Sequence, residues 1–164
     1  MQRCFTQTFG VVGAIIEKEG KIFLVRENQP GDPDDKKWSH PAGWLDVGEN
    51  PVEGVKREVR EETGYEFTPE ALLGVYSLVR QDLAEFRGSP AHPIKMIFTG
   101  KLGKYSPANL EGDTLGGEWF TPEEIYAMGQ GELRESDIKQ MVKDYFSGKR
   151  YSLEVITHTI IPQH

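Results

Sequence analysis

Residues 43–65, GWLDVGENPVEGVKREVREETGY, constrain the fold most, because strong start and stop signals enclose a single helix there. Asn50 can accept a hydrogen bond from a free backbone N–H, Pro51 has its first-turn φ already set, and Glu53 completes a capping-box spacing. Gly64 supplies the stop, since a left-handed cap residue is cheapest without a Cβ. At about 100° per residue, Val52, Val55 and Val59 form one stripe that should pack on a sheet. Glu58, Glu61 and Glu62, spaced i, i+3 and i+4, converge on a neighbouring face. Lys56, Arg57 and Arg60 are expected on the remaining surface, with Arg57 in i,i+4 reach of Glu53 and Glu61.

Like charges on one helix face repel by a few tenths of a kcal/mol per pair, so a cation should compensate. A set of carboxylate oxygens suits Mg²⁺ or Mn²⁺, hard ions that keep several waters and bind a phosphate alongside a few carboxylates. A solvated acidic face is the ordinary alternative. The wider string decides between them. It fits G-x5-E-x7-R-E-U-x-E-E-x-G-U, with Gly43, Glu49, Arg57, Glu58, Val59, Glu61, Glu62, Gly64 and Tyr65 at the fixed positions. In this the chain resembles the Nudix hydrolases. Two departures are small: Tyr65 stands for an aliphatic residue, and Pro41-Ala42-Gly43 stands where many members have Pro-Gly-Gly.

The resemblance covers essentially the whole chain and implies an α+β architecture, the Nudix fold, with a mixed β-sheet sandwiched between α-helices. It implies Glu58, Glu61 and Glu62 as catalytic metal ligands, helped by a backbone carbonyl near Ala42. Glu49 and Arg57 would brace the loop against the helix. Arg26 would contact a phosphate, or else be an exposed arginine at a strand end. Trp38 and His40, just ahead of the motif, would line the substrate pocket; the alternatives are a core or edge aromatic and a hydrogen-bonded structural histidine. Among Glu111, Asp113 and Glu118, the last is the choice for a further carboxylate at the site.

With 164 residues, the chain is expected to form one domain over 1–164, burying roughly 70% of its unfolded surface. Cys4 is the single cysteine, which excludes an internal disulfide framework, and its place near a terminus reads as incidental. No apolar run approaches the roughly 20 residues that span a bilayer, and the first ten residues lack an export pattern, so a soluble, cytoplasmic protein is expected. A net charge of −7 argues against polymeric nucleic acid as a partner, since such binding needs clustered Lys and Arg.

Elsewhere, residues 8–17 and 21–27 read as a hairpin around Glu-Lys-Glu-Gly, followed by a polar loop over 28–37 and a short extended segment over 38–43. Strands are expected over 72–80, 92–102 and 117–120, with loops over 81–91 and 103–116 between them. Thr121, Pro122 and Glu124 start a short helix, and residues 135–146 are amphipathic with Ile138, Met141, Val142, Tyr145 and Phe146 on one face. Residues 151–161 read as a strand or packing tail that folds on its own domain or pairs two copies as a homodimer.

The expected activity is therefore Mg²⁺-dependent hydrolysis of a phosphoanhydride bond in a small phosphorylated substrate. Pro-Ala-Gly together with residues 147–154, SGKRYSLE, resembles the bacterial Nudix phosphatase branch acting on the thiamine-precursor pyrimidine pyrophosphate and on nucleoside di- and triphosphates. Other readings are an ADP-ribose, nucleotide-sugar or dinucleoside polyphosphate pyrophosphatase, and a nucleotide-binding regulatory module without turnover. For the ADP-ribose and dinucleoside polyphosphate readings, the family's proline and tyrosine markers, respectively, about 16 residues past the motif are lacking around Gln81.

Overall fold

The structure, a computed structural model, describes residues 8–111 and 114–162. Cys4 and Asp113 lie outside the described residues. Two sheets form the centre. One runs in the order β5 (Ala42–Trp44), β1 (Thr8–Ile15), β7 (His92–Tyr105), β6 (Tyr65–Ser77), and is mixed because β1 lies parallel to β7 but antiparallel to β5. In the other, β3 (Lys21–Glu27) pairs antiparallel with β2 (Glu17–Lys18), β4 (Trp38–Ser39) and β8 (Thr114–Phe120).

Side chains alternate across these strands, and each face takes its own helices. Val12 and Ala14 of β1, Phe23 and Val25 of β3, and Phe98 of β7 pack with Val55 and Val59 of α1 (Pro51–Thr63). Ile15, Ile22, Leu24 and Ile97 face the opposite way. They pack with Ile125 of α3 (Pro122–Ala127) and with Ile138, Met141 and Val142 of α4 (Asp137–Phe146). The sheets are thus sandwiched between helices, as expected. A single turn, α2 (Ala84–Arg87), lies in the 81–91 connection.

Helix α1 starts and stops where its local chemistry directs. Asn50 Oδ1 accepts from the Val52 N–H at 2.9 Å, and Gly64 adopts φ 76° while its N–H caps the Arg60 carbonyl. Glu53 is taken by Lys56 at 2.7 Å rather than by Arg57. At α3 the capping box between Thr121 and Glu124 is closed in both directions.

Several expectations need correction. β1 does not pair with β3 as a hairpin, since β5 and β7 already occupy both its edges; the hairpin is the short β2–β3 pair around Glu19 and Gly20, at φ 54° and 80°. β6 begins at Tyr65, immediately after the helix cap, because Pro69 is absorbed at a register irregularity between Pro69 and Ala71. β7 and β8 extend into the expected 103–116 loop, Tyr105 pairing with Tyr65 with ring centroids 5.0 Å apart. The tail makes an isolated bridge from Tyr151 to Leu72 of its own chain and a short turn over Leu153–Val155, while Ile160 and Ile161 are exposed.

Candidate active site

The segment between Trp38 and Trp44 hands the chain from one sheet to the other, β4 on β3 and β5 on β1, and that crossing lays Gly43 against α1. A Cβ on Gly43 would fall on all three atoms of the Glu58 carboxylate, inside the 3.0 Å that bounds real Cβ contacts. Glycine here makes room for the Glu58 carboxylate. The Ala42 N–H donates to Glu62 Oε2 at 2.9 Å, so two of the helix carboxylates are held under the same backbone strand.

Arg57 is half-buried rather than on the outer surface, and its fork fastens the site. Nε and Nη2 donate to the two oxygens of Glu49 at 2.8 and 2.9 Å, and Nη2 also reaches the Trp44 carbonyl at 3.0 Å. Nη1 donates to Glu58 Oε1 at 2.6 Å and Glu61 Oε2 at 3.2 Å. The bonds from Arg57 hold the Glu49 carboxyl below its usual range. Burial pushes the Glu58 carboxyl up in spite of Arg57. Burial, followed by the charge of Glu27, pushes Glu62 well above the ordinary carboxylate range.

Glu58, Glu61, Glu62, Ala42 and Gly43 line one side of a cavity of about 370 Å³. Of its other walls, His40 was a candidate from the sequence, whereas the charged residues were not. Glu27 closes one side, with Lys95, Glu135, Arg80 and Arg134 beside it. These charges are paired in a buried network: Arg134 Nη1 donates to Glu27 Oε1 at 2.7 Å, Arg80 forks onto the fully buried Asp34 at 3.0 and 3.1 Å, and Lys95 joins Glu135 and Asp137. The lining also includes Phe9 and Trp44, whose rings stack at 4.4 Å; Trp44 is 64% exposed.

His40 lines the same cavity and is buried; among the described residues neither ring nitrogen is hydrogen-bonded, unlike the hydrogen-bonded structural histidine that was the alternative. Burial, assisted by the Lys95 charge, lowers its pKa to about 3 and keeps the imidazole neutral. Arg26, Trp38 and Glu118 are not among the residues lining the cavity. β3 alternates, so Glu27 turns inward and Arg26 outward, where its Nε meets the Lys36 carbonyl at 3.1 Å and its guanidinium lies 5.7 Å from the Trp38 ring centre. Trp38 packs on the α3/α4 side against Phe120, and Glu118 is exposed beside Leu24 on β8.

Among the described residues, no group of three or more His, Cys, Asp or Glu side chains closes as a ready-made metal cage. Arg57 and the Ala42 N–H instead hold the helix carboxylates from either side. The donors are nonetheless all oxygens, and burial with mutual repulsion already disfavours charge on Glu58 and Glu62. That chemistry fits a hard divalent ion that keeps part of its water shell and neutralises the crowding.

Comparison with known proteins agrees with this geometry. The family model for the NUDIX domain matches residues 6–143. The chain belongs to the Nudix family. It is 29% identical over 146 residues to "Phosphatase NudJ" of Escherichia coli K12, covering 88% of each chain. It superposes on a NUDIX hydrolase from Nitrosomonas europaea with a TM-score of 0.82 and 31% identity, covering 93% of this chain and 98% of that one. A MutT protein from Methanosarcina mazei Go1 shares the fold at a TM-score of 0.69 and 22% identity, over 90% and 100% of the two chains. With this family membership the protein is a hydrolase of small-molecule substrates, and pyrophosphate-bond hydrolysis is its general chemistry. No helix among the described residues is long and apolar enough to cross a membrane.

Proposed function

We propose that this Nudix hydrolase cleaves a phosphoanhydride bond in a small nucleoside di- or triphosphate or a related pyrimidine pyrophosphate, with Mg²⁺ as its ion. The observation that carries this reading is the placement of Glu58, Glu61 and Glu62 in the lining of a cavity of about 370 Å³ that also holds Arg80, Lys95 and Arg134 and the stacked rings of Phe9 and Trp44. That volume lies at the low end of the range for small-ligand pockets and favours one nucleoside or a single ring over a dinucleoside. Similarity to a protein called a phosphatase supports a phosphorylated substrate.

Glu58, Glu61 and Glu62, with the carbonyl of Ala42, would hold the ion, which when bound supplies charge neutralisation for the phosphate oxygens. The chain's own groups do the positioning. Arg57, anchored by Glu49, sets the aim of Glu58 and Glu61, and Gly43 lets the Glu58 carboxylate lie under β5. Trp44 and Phe9 offer a flat apolar surface for the organic group, the role first sought in Trp38. His40, neutral and buried, shapes the floor. The reading takes residues 1–164 as one catalytic unit acting in the cytoplasm, and the exposed Ile160 and Ile161 favour a homodimer.

Release of phosphate and pyrophosphate should be measured across nucleotides, nucleotide sugars and pyrimidine pyrophosphates, with Mg²⁺ and with EDTA. Metal-dependent turnover of a mononucleotide or pyrimidine pyrophosphate is expected. Replacing Glu62 with Gln should cost at least ~10²-fold, since a displaced or missing ligand disorders the reacting groups. Undiminished turnover by that variant would sink the assignment of the site, and a marked preference for nucleotide sugars would replace the substrate class.

A further inference from the structure

We propose that Arg134 is the phosphate-binding residue of this cavity, taking substrate phosphate oxygens on N–H groups that the protein leaves unused; the proposal rests on the phosphoanhydride-hydrolase reading. An anionic substrate entering a cavity lined by Glu27, Glu58, Glu61, Glu62 and Glu135 needs a cation with donors to spare. Three cations line that cavity: Arg80, Lys95 and Arg134.

Two of them are already committed. The guanidinium of Arg80 is forked between two aspartates, Asp34 at 3.0 and 3.1 Å and Asp82 at 2.7 to 3.1 Å. The ammonium of Lys95 is shared between Glu135 and both oxygens of Asp137. Arg134 is different. Among the described residues its side chain makes one hydrogen bond, Nη1 to Glu27, although a guanidinium carries five N–H donors. Its Nε is buried without a hydrogen bond, with Asp34 Oδ2 no nearer than 3.4 Å. Buried donors are rarely left unmatched, and a guanidinium in the lining of a binding cavity that still carries unbonded N–H groups is placed to take ligand oxygens. The side chain keeps 22% exposure, enough to meet a ligand.

Arg134 is also held in place before any ligand arrives. The Trp38 N–H donates to the Glu132 carbonyl at 2.7 Å and the Arg134 N–H donates to the Trp38 carbonyl at 2.9 Å, so the 129–135 turn is clamped to β4. Leu133, between them, is buried in the core. A donor fork mounted this way loses little freedom on binding, which is how a preorganised site gains affinity. Arg26, by contrast, points away from the cavity and is bonded to the Lys36 carbonyl.

The competing role for Arg134 is simply to balance the buried charge of Glu27. Four proteins separate the two: wild type, Arg134→Gln, Glu27→Gln and the double variant. For each, the Kd of inorganic pyrophosphate is measured by calorimetry with Mg²⁺ present, and KM and kcat are measured on the substrate found in the panel. Loss of charge-assisted bonds to phosphate should raise the Kd and KM of Arg134→Gln by roughly 10- to 100-fold, with a smaller change in kcat. The double variant should stay about as weak relative to Glu27→Gln. Arg134→Lys keeps the charge without the fork and should bind between wild type and Arg134→Gln; it serves if the glutamine variant fails to fold. Wild-type affinity in Arg134→Gln, or recovery of binding in the double variant to the level of Glu27→Gln, would overturn the assignment while leaving the hydrolase reading intact. Absence of wild-type turnover on every phosphoanhydride would overturn both.

Discussion

Replacing Gly43 with Ala tests whether the backbone of β5 sets the position of a helix carboxylate. The added Cβ would land on the carboxylate atoms of Glu58, and Gly43 is not among the residues at positive φ, so the collision is the whole perturbation. Those atoms are the far end of a side chain and can retreat. Stability should therefore fall only by the cost of moving them away from Arg57, to which Glu58 is bonded at 2.6 Å: about 1.5–3 kcal/mol, the worth of a hydrogen bond to a charged group. Activity should suffer more. To escape the overlap the carboxylate must withdraw by about 1 Å, and a misplacement of that size at a reacting centre costs roughly 10²-fold in rate. The control is the same change in a Glu58→Ala background, where nothing remains to collide and the stability cost should shrink to a few tenths of a kcal/mol. Urea denaturation of the four proteins gives the stability terms, and metal-dependent turnover of Gly43→Ala and wild type gives the rate. Equal destabilisation by Gly43→Ala with and without the Glu58 carboxylate would refute the reasoning, and so would an active Gly43→Ala enzyme.

Two other expectations follow from the same geometry. Arg57→Lys should lose roughly 10- to 100-fold in kcat, much like Arg57→Ala, because an ammonium cannot bridge Glu49, Glu58, Glu61 and the Trp44 carbonyl together; a lysine variant with wild-type kcat would show that charge alone suffices. His40, held at a pKa of about 3 against about 6.5 when unfolded, binds its proton more readily in the unfolded chain. Its contribution is complete above the unfolded value and is lost as pH falls from about 6.5 toward about 3, at up to about 1.4 kcal/mol per pH unit. Urea melts at pH 7, 6 and 5 should thus show a steeper acid loss in wild type than in His40→Gln, and parallel slopes would refute the buried, neutral imidazole.

The parts of this molecule that were legible in its sequence are those whose causes are local. Helix α1 needed only Asn50, Pro51 and Gly64, and its carboxylates needed only the 3.6-residue repeat, so both stand where the spacing puts them. Pairing partners are a different matter, since alternation shows which residues of β1 face inward but not which strands flank it. Ile16 and Phe23 are still joined across the short hairpin, the Phe23 N–H donating to the Ile16 carbonyl at 3.0 Å, but the pairing goes no further back along β1, because β5 and β7 occupy it on both sides. The same limit hid the second wall of the site. Glu27, Lys95 and Arg134 come from β3, β7 and the turn before α4, and only the packing order of the sheets brings them to one cavity. One of them left a mark: Lys95 interrupts the apolar run of β7, and a lysine that is only 1% exposed must have carboxylate partners, here Glu135 and Asp137. Trp38 was sought for the site by its nearness in sequence to the helix motif and Arg26 by its place at the end of a strand, yet in β3 a shift of one residue exchanges the cavity face for solvent. Proximity along the chain thus located the wall built by one helix, while a charge in an apolar strand was the one local sign of the wall built by many elements.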